Sequence, residues 1–358
     1  MSKPLSVGLL GAGNIWNQHK IAFRERPDCL RLAAVYDTVP ANAARAASEF
    51  PGAAVCTSAE ELLRRRDIEA VLILTTHAQH HPLTLAALRA GRHVLVEKPM
   101  ACTLAEAEEM TAVAHTTKRM LMVGQCQRYD ASYAGIRRLI QSDEIGRIHA
   151  IRFDSMQGVV ANDLLPSSHW LYDGKAAGGG IVISVSVHRI DLARYLVGEV
   201  RRVSALTRTV TPHFRNGAED YACALLDFSN GAIGEMFATF AGFRLPYGEG
   251  LMIFGEHGTI HAQPNGGEAA APAVYASKRT PGKPDDNRWL AQYRGFMPVP
   301  LASDECPHAN SFVNQLVHFA NCVRSSATPI SSAEDNLGTM RTIHAIYQSA
   351  HTGSWVNV

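Results

Sequence analysis

The chain has no marked excess of charge of either sign. Its 34 lysines and arginines stand against 33 aspartates and glutamates, a formal net charge of +1 at neutral pH. Nucleic-acid binding calls for a clustered surplus of cations. The one short basic run, Arg64–Arg66, sits among Glu60, Glu61, Asp67 and Glu69 and reads as a solvated helix face. Long hydrophobic runs are missing too. Val71–Leu74 and Leu121–Val123 are strand-sized, far short of the roughly 20 residues that cross a bilayer. The opening MSKPLSVGLLGAG contains no apolar segment of signal-peptide length. The seven cysteines, at positions 29, 56, 102, 126, 223, 306 and 322, form no CxxC pair, and the sixteen histidines form no HExxH. These gaps argue against a disulfide framework and offer no metal-ligand spacing. Reduced thiols, a cytoplasmic location and no metal are expected.

What is present is ordinary globular composition, 46% apolar and 19% charged over 358 residues. That length suits two cores better than one. The rhythm of the chain divides it at about residue 126, giving domains 1–126 and 127–358. In the first, short Val-, Leu- and Ile-rich runs (Ser6–Leu10, Leu32–Tyr36, Ala70–Leu74, His93–Val96, Met120–Val123) alternate with amphipathic stretches such as Ala41–Phe50, Pro82–Ala90 and Thr103–Thr117. Thr103 with Glu106 forms a capping box. Strands alternating with helices imply an α/β, doubly wound parallel sheet. In the second, a helix near Ala131–Ser142 and a strand at His149–Ser155 precede a helix after Gly180. A meander follows: Val200–Thr209, Asp220–Phe228, Ala232–Ala241, Leu251–Phe254 and Thr259–Ala262, with Asn230-Gly231 as a hairpin turn. This predicts an α+β domain around a large, mostly antiparallel open sheet. Gln263–Pro307 has no clean period, and Ser311–Arg324 and Ala333–Thr352 read as helices packing back on that domain.

The chemistry starts at Gly11-Ala12-Gly13-Asn14-Ile15-Trp16, directly after the first strand. Gly11 permits the tight turn, Gly13 lets backbone approach a pyrophosphate, and the following helix offers free N–H groups and a positive dipole end. Trp16 stands where the fingerprint has its third glycine. Asp37 closes the second strand, where a carboxylate accepts hydrogen bonds from the adenosine ribose and repels a 2′-phosphate. Thr38 and Val39 supply no cation for such a phosphate, so NAD is expected rather than NADP. Glu97-Lys98-Pro99 ends the fifth strand, at the carboxyl edge of the sheet where ligands bind.

Taken in order, these motifs make the chain similar to the glucose-fructose oxidoreductase / inositol dehydrogenase / MocA (Gfo/Idh/MocA) family over nearly its whole length. They are GAG after the first strand, Ala90-Gly91-Arg92-His93-Val94-Leu95-Val96-Glu97-Lys98-Pro99, Arg128, Gly178-Gly179-Gly180 with His188 and Asp191, Asn230-Gly231, Gly255-x-x-Gly258 and Tyr347-Gln348-Ser349-Ala350. The resemblance implies a Rossmann domain followed by a domain whose open sheet joins subunits, hence a homodimer or homotetramer. It also implies a sugar, cyclitol or related polyol as substrate. Gly11, Gly13, Asn14, Ile15, Asp37, Thr75, Thr76, His81, Glu97 and Lys98 are the implied cofactor contacts. His81 lies near the family's usual histidine, although its Pro-Asn turn is replaced by His77-Ala78, whose imidazole, like that of His80, reads as a surface group.

On the substrate side the family pattern places an aspartate, a histidine and a second aspartate after the glycines. Here they are Ser184, His188 and Asp191, spaced i, i+4, i+7 along one helix face. A near-neutral imidazole can take the hydroxyl proton as hydride leaves the carbinol carbon, and an ammonium can stabilise the developing alkoxide. His188 is thus the expected acid/base and Lys98 the oxyanion stabiliser, the two converging on one oxygen. Asp191, Ser184, Arg128, Trp170 and Asp173 are expected substrate contacts. Serine at 184 carries no charge, so another acid such as Asp154 or Asp173 is a candidate stand-in, and Trp289 and His308 flank the irregular segment. Two other functions stay open: glycoside processing through transient oxidation and elimination, and non-catalytic NAD-binding regulation.

Overall fold

A computed structural model describes residues 3–160, 163–243, 245, 248–263, 273–278 and 297–358. Trp289 lies outside them. The chain forms two compact units: residues 1–129, 175–178 and 310–340 make the first, and residues 130–174, 179–309 and 341–358 the second.

The first unit is built on six parallel strands: β1 (Leu5–Leu10), β2 (Leu30–Tyr36), β3 (Ala54–Val55), β4 (Ala70–Ile73), β5 (His93–Glu97) and β6 (Leu121–Gly124). The helices between them are α1 (Trp16–Glu25), α2 (Pro40–Ser48), α3 (Ala59–Arg64), α4 (His77–Arg89) and α5 (Leu104–Thr117). Strand order is β3-β2-β1-β4-β5-β6, a doubly wound arrangement whose winding reverses between β1 and β4. The strands are continuous apolar runs because helices cover both sheet faces; β1 and β4 are buried at every position. The Thr103–Glu106 capping box is formed and starts α5. Helix α4 begins at His77, five residues before the expected Pro82, which lies inside the helix and leaves the Ala78 carbonyl without its internal donor.

Trp16 opens α1 and is 1% exposed. Its ring lies 5.5 Å from that of Phe23 and 5.8 Å from that of Phe50. The position that glycine normally keeps small is therefore filled by an aromatic cluster, and the helix is held by burial of that ring. Helix α9 (Ser311–Ser325) also joins this core: Val313, Leu316, Phe319 and Ala320 pack with Trp16, Ala22 and Phe23. The sequence placed that helix with the second domain; its apolar stripe finds its complement on α1.

The second unit contains α6 (Ala131–Gln141), β7 (Ile148–Met156), α8 (Val187–Val197), and the strands β8 (Val200–Arg208), β9 (Tyr221–Phe228), β10 (Ile233–Thr239), β11 (Glu249–Gly255), β12 (Gly258–Gln263), β13 (Ala273–Lys278), β14 (Met297–Pro298) and β15 (Val356–Asn357). The single turn α7 (Gly174–Ala177) and the long α10 (Ala333–Thr352) each contribute residues to both units. The nine-stranded order is β14-β13-β12-β11-β7-β10-β9-β8-β15, antiparallel except where β10 runs parallel to β7. Burial alternates along β9, with Ala222, Ala224, Leu226 and Phe228 inward and Cys223 and Leu225 outward. The Asn230-Gly231 hairpin joins β9 to β10, with Gly231 at φ +88°.

Candidate active site

In the first unit the candidate side chains stand at the carboxyl ends of β1, β2, β4 and β5. Gly11 follows β1 at φ +90°, and a Cβ there would strike the Leu74 carbonyl; only glycine makes this turn. A Cβ on Gly13 would meet nothing, so the turn is open on the side from which a pyrophosphate approaches, with Asn14 exposed and Ile15 half-buried leading into α1. Asp37 fixes the same turn from β2. Its carboxylate accepts from the Ala12 amide at 2.7 Å and from the Val39 amide at 2.7 Å. Arg45, from α2, donates to the Ala12 carbonyl at 3.1 Å, a brace that no local sequence pattern announces. An open glycine turn, a helix N-terminus and a pre-oriented carboxylate fit NAD. Asp37→Ala should weaken NAD binding about tenfold, the equivalent of one charge-assisted hydrogen bond. Titration calorimetry with NAD checks this, and an unchanged Kd would remove Asp37 from the site.

Lys98 is held by its neighbours. Glu97 is buried, accepts from the Lys98 amide at 3.0 Å and meets Nε2 of His19, on α1, at 2.8 Å. Burial pushes the Glu97 carboxyl up, but His19 and Lys98 outweigh this and hold it below its ordinary value. Its carboxylate is thus engaged inside the fold, which makes Glu97 the support beneath Lys98. His77 and His80 are buried, not surface, imidazoles. His77 Nδ1 lies 2.9 Å from the Ala177 carbonyl; His80 donates from Nδ1 to the Pro99 carbonyl at 2.7 Å, and its Nε2 lies 3.2 Å from the Thr75 carbonyl. Burial lowers both their pKa values, and the Lys98 charge lowers them further. A cation at 98 is therefore flanked by two neutral rings. His80, not His81, ties the Thr75–Thr76 turn to the Glu-Lys-Pro turn. His81 faces away and pairs with Glu109 at 2.9 Å. Thr75 and Thr76 are half-buried between β4 and α4.

Arg128 is buried too. It donates to the Ile330 carbonyl at 2.5 Å and pairs with Asp335 at 2.6 Å, so its guanidinium pins the segment after α9 to the end of β6. A charge removed from water and paired in this way serves structure, and the substrate contact expected of it has no support in this geometry.

In the second unit Ser184 lies in a π-helical turn, Val182–Ser186, that runs directly into α8 with His188 and Asp191. The expected continuous α-helix is thus widened at its start, and π turns recur at functional sites. Ser184 and Asp191 are buried, and His188 is half-buried. Trp170 is half-buried beside His169 at 5.4 Å, while Tyr172 is the aromatic of that turn that enters the core, 5.0 Å from Phe214. Asp173 pairs with Arg215 at 3.3 Å and accepts from Asn216 at 3.0 Å, so it braces that loop. His308 is half-buried before α9.

Sequence reasoning missed Glu219. It is 4% exposed, accepts from the Gly180 and Val182 amides at 2.7 and 2.9 Å, and burial raises its pKa to about 7. Because the fold holds this proton more tightly than the unfolded chain does, the carboxyl favours the folded state fully below its ordinary value of 4.5 and loses that advantage as pH rises through 7. Stability should fall by about 3 kcal/mol from this group between pH 5 and pH 8. Urea unfolding of the wild type and Glu219→Gln at both pH values checks the difference, which the variant should lack.

Among the described residues no metal-ligating cluster occurs, no helix is long and apolar enough to cross a membrane, and none of the seven cysteines is in a disulfide.

Two family models match the chain in tandem. The oxidoreductase family NAD-binding Rossmann fold covers residues 5–125, and the Gfo/Idh/MocA C-terminal domain covers residues 133–261. The 1,5-anhydro-D-fructose reductase of Ensifer adhaerens is 28% identical over 97% of this chain and 96% of its own. The scyllo-inositol 2-dehydrogenase (NAD(+)) of Bacillus subtilis strain 168 is 26% identical over 92% and 89%. A levoglucosan dehydrogenase solved in complex with NADH superimposes with a TM-score of 0.86 at 25% identity, over 99% of both chains. With both units matched in order, and with the glycine turn, Asp37 and the Glu-Lys-Pro turn standing where the fold binds a dinucleotide, the chain belongs to the Gfo/Idh/MocA family of NAD-dependent oxidoreductases.

Proposed function

We propose that this enzyme moves a hydride between NAD and a secondary alcohol or ketone of a sugar, cyclitol or related polyol, with Lys98 and His188 as its catalytic residues. The observation that carries the reading is the mounting of Lys98. At the carboxyl end of β5 the Lys98 backbone is held by Glu97, which His19 holds in turn, and the Lys98 charge helps keep the nearby His77 and His80 neutral. A cation carried on a backbone fixed in this way needs little reorganisation when negative charge develops beside it.

NAD supplies the hydride acceptor in oxidation and the donor in reduction. Lys98 lowers the energy of the substrate oxygen as its proton leaves. His188 takes that proton in oxidation and returns it in reduction. Ser184 and Asp191, on the same helix, offer one neutral and one acidic group to further substrate hydroxyls. Serine for the family's aspartate leaves His188 without a charged helper at that position, which favours a substrate held by hydrogen bonds.

The test is reduced-nicotinamide absorbance with NAD and scyllo-inositol, myo-inositol or levoglucosan, and with NADH and 1,5-anhydro-D-fructose. Turnover of at least one is expected. Tight NAD binding with no turnover on a broad polyol panel would point to a regulator. Product without net change in nicotinamide would point to transient oxidation and elimination.

The protein functions as a homodimer or homotetramer joined through the second sheet. Support comes from its outer face, where Leu225, Ile233, Phe254 and Trp355 are exposed around a groove of about 620 Å³. Apolar patches of that kind mark interfaces. Light scattering should give a multiple of the chain mass, reduced by Leu225→Asp with Ile233→Asp. The exposed Cys223 thiol suits a reducing cytoplasm.

A further inference from the structure

The segment between the triple glycine and His188 is held from outside itself. Glu219 takes the Gly180 amide on Oε2 at 2.7 Å and the Val182 amide on Oε1 at 2.9 Å, and its own carbonyl takes the Ile181 amide at 2.9 Å. The Tyr347 hydroxyl, from α10, accepts from the Ile183 amide at 3.3 Å and donates to Glu219 Oε1 at 3.1 Å. Four successive donors at the start of the helical segment are thereby used by two residues distant in sequence. Helix starts more often meet these donors with water or with a cap one residue away. The glycine run fits the same device. A Cβ on Gly180 would overlap the Glu219 backbone, and one on Gly179 would overlap the Tyr347 hydroxyl. The π turn begins at Val182, inside this clamp, so the clamp sets the rotation with which Ser184 and His188 leave it.

We propose that Glu219 and Tyr347 are a positioning dyad that fixes the axial place and rotation of the helix carrying Ser184, His188 and Asp191, so that turnover depends on them although neither touches substrate. This rests on His188 being the acid/base. A buried carboxyl with a pKa raised to about 7 costs the fold stability at neutral pH, which a purely structural contact would have no reason to incur. Of the titratable groups around it, Tyr347 bonds to it directly. Asp220, next in the chain, is turned to the Val210 and Thr211 amides, each at 2.8 Å. The dyad therefore grips hardest when Glu219 is ionised and can accept both amides.

The experiment uses the full chain with the best substrate among levoglucosan, scyllo-inositol, myo-inositol and 1,5-anhydro-D-fructose. Glu219→Gln should lower kcat on the order of 10- to 100-fold at pH 8, the scale of a catalytic group misplaced by about 1 Å. KM and the NAD Kd should stay within about twofold, because uniform binding is untouched. Its rate should also vary less between pH 6 and pH 8 than that of the wild type. Tyr347→Phe keeps the ring and removes the two hydroxyl bonds while leaving those of Glu219 to the amides, so about a threefold to tenfold loss in kcat is expected from it. It also serves if Glu219→Gln fails to fold by circular dichroism. Wild-type kcat in folded Tyr347→Phe and Glu219→Gln overturns the dyad while His188→Ala remains inactive. Full activity in His188→Ala overturns the acid/base reading and the dyad with it.

Discussion

Lys98→Ala should lose about 10³-fold in kcat, the upper end of what removal of one preorganised donor costs at a developing oxyanion, while NAD binds within about twofold of wild type. The reason is the division of labour in the first unit. The glycine turn and Asp37, the contacts proposed for the pyrophosphate and ribose, keep their geometry without residue 98. The Lys98 backbone is held by its amide's bond to Glu97 and by Glu97's own contact with His19. Lys98→Arg should recover little, since a planar guanidinium is larger and distributes its charge over a fork. Steady-state rates together with calorimetric NAD titration separate the two effects. A kcat within tenfold of wild type would remove Lys98 from the chemistry and leave it a surface turn residue.

The second large effect belongs to the imidazole of α8. His188→Ala should reduce kcat by roughly 10² to 10⁴, the range for a positioned proton-transfer group, with little change in the NAD Kd. Added free imidazole should restore part of the rate, because the half-buried position of His188 leaves room for a small base once the side chain is gone. The double variant with Lys98→Ala should be far less impaired than the product of the two single losses, as residues serving one proton and one oxygen act as a unit. Multiplicative losses, or no response to imidazole, would mean that the two residues serve separate steps.

Much of this was legible along the chain because it is local. Gly11, Gly13 and Asp37 are read from position after a strand, and the Thr103 capping box and Asn230-Gly231 turn are short-range chemistry. Ser184, His188 and Asp191 could be put on one helix from spacing alone, though the π turn at its start could not. What escaped was long-range pairing. The resemblance marks Arg128 as a substrate contact, whereas the fold sets it against Asp335 and the Ile330 carbonyl. His81 looked like the turn histidine, whereas His80 carries the contacts to Thr75 and Pro99. A one-residue difference on a helix rotates a side chain by about 100°, and only packing decides which face is inside.

Alone, the sequence determined the two-part architecture, the parallel dinucleotide-binding sheet, the NAD turn and the identity of the two groups proposed for catalysis, since each depends on residue type at short spacing. Tertiary structure alone decided what holds those groups: His19 and Glu97 beneath Lys98, α9 against Trp16, and Glu219 with Tyr347 at the head of the His188 helix. These partners are brought together by burial of apolar faces, a force that is non-directional and indifferent to distance along the chain.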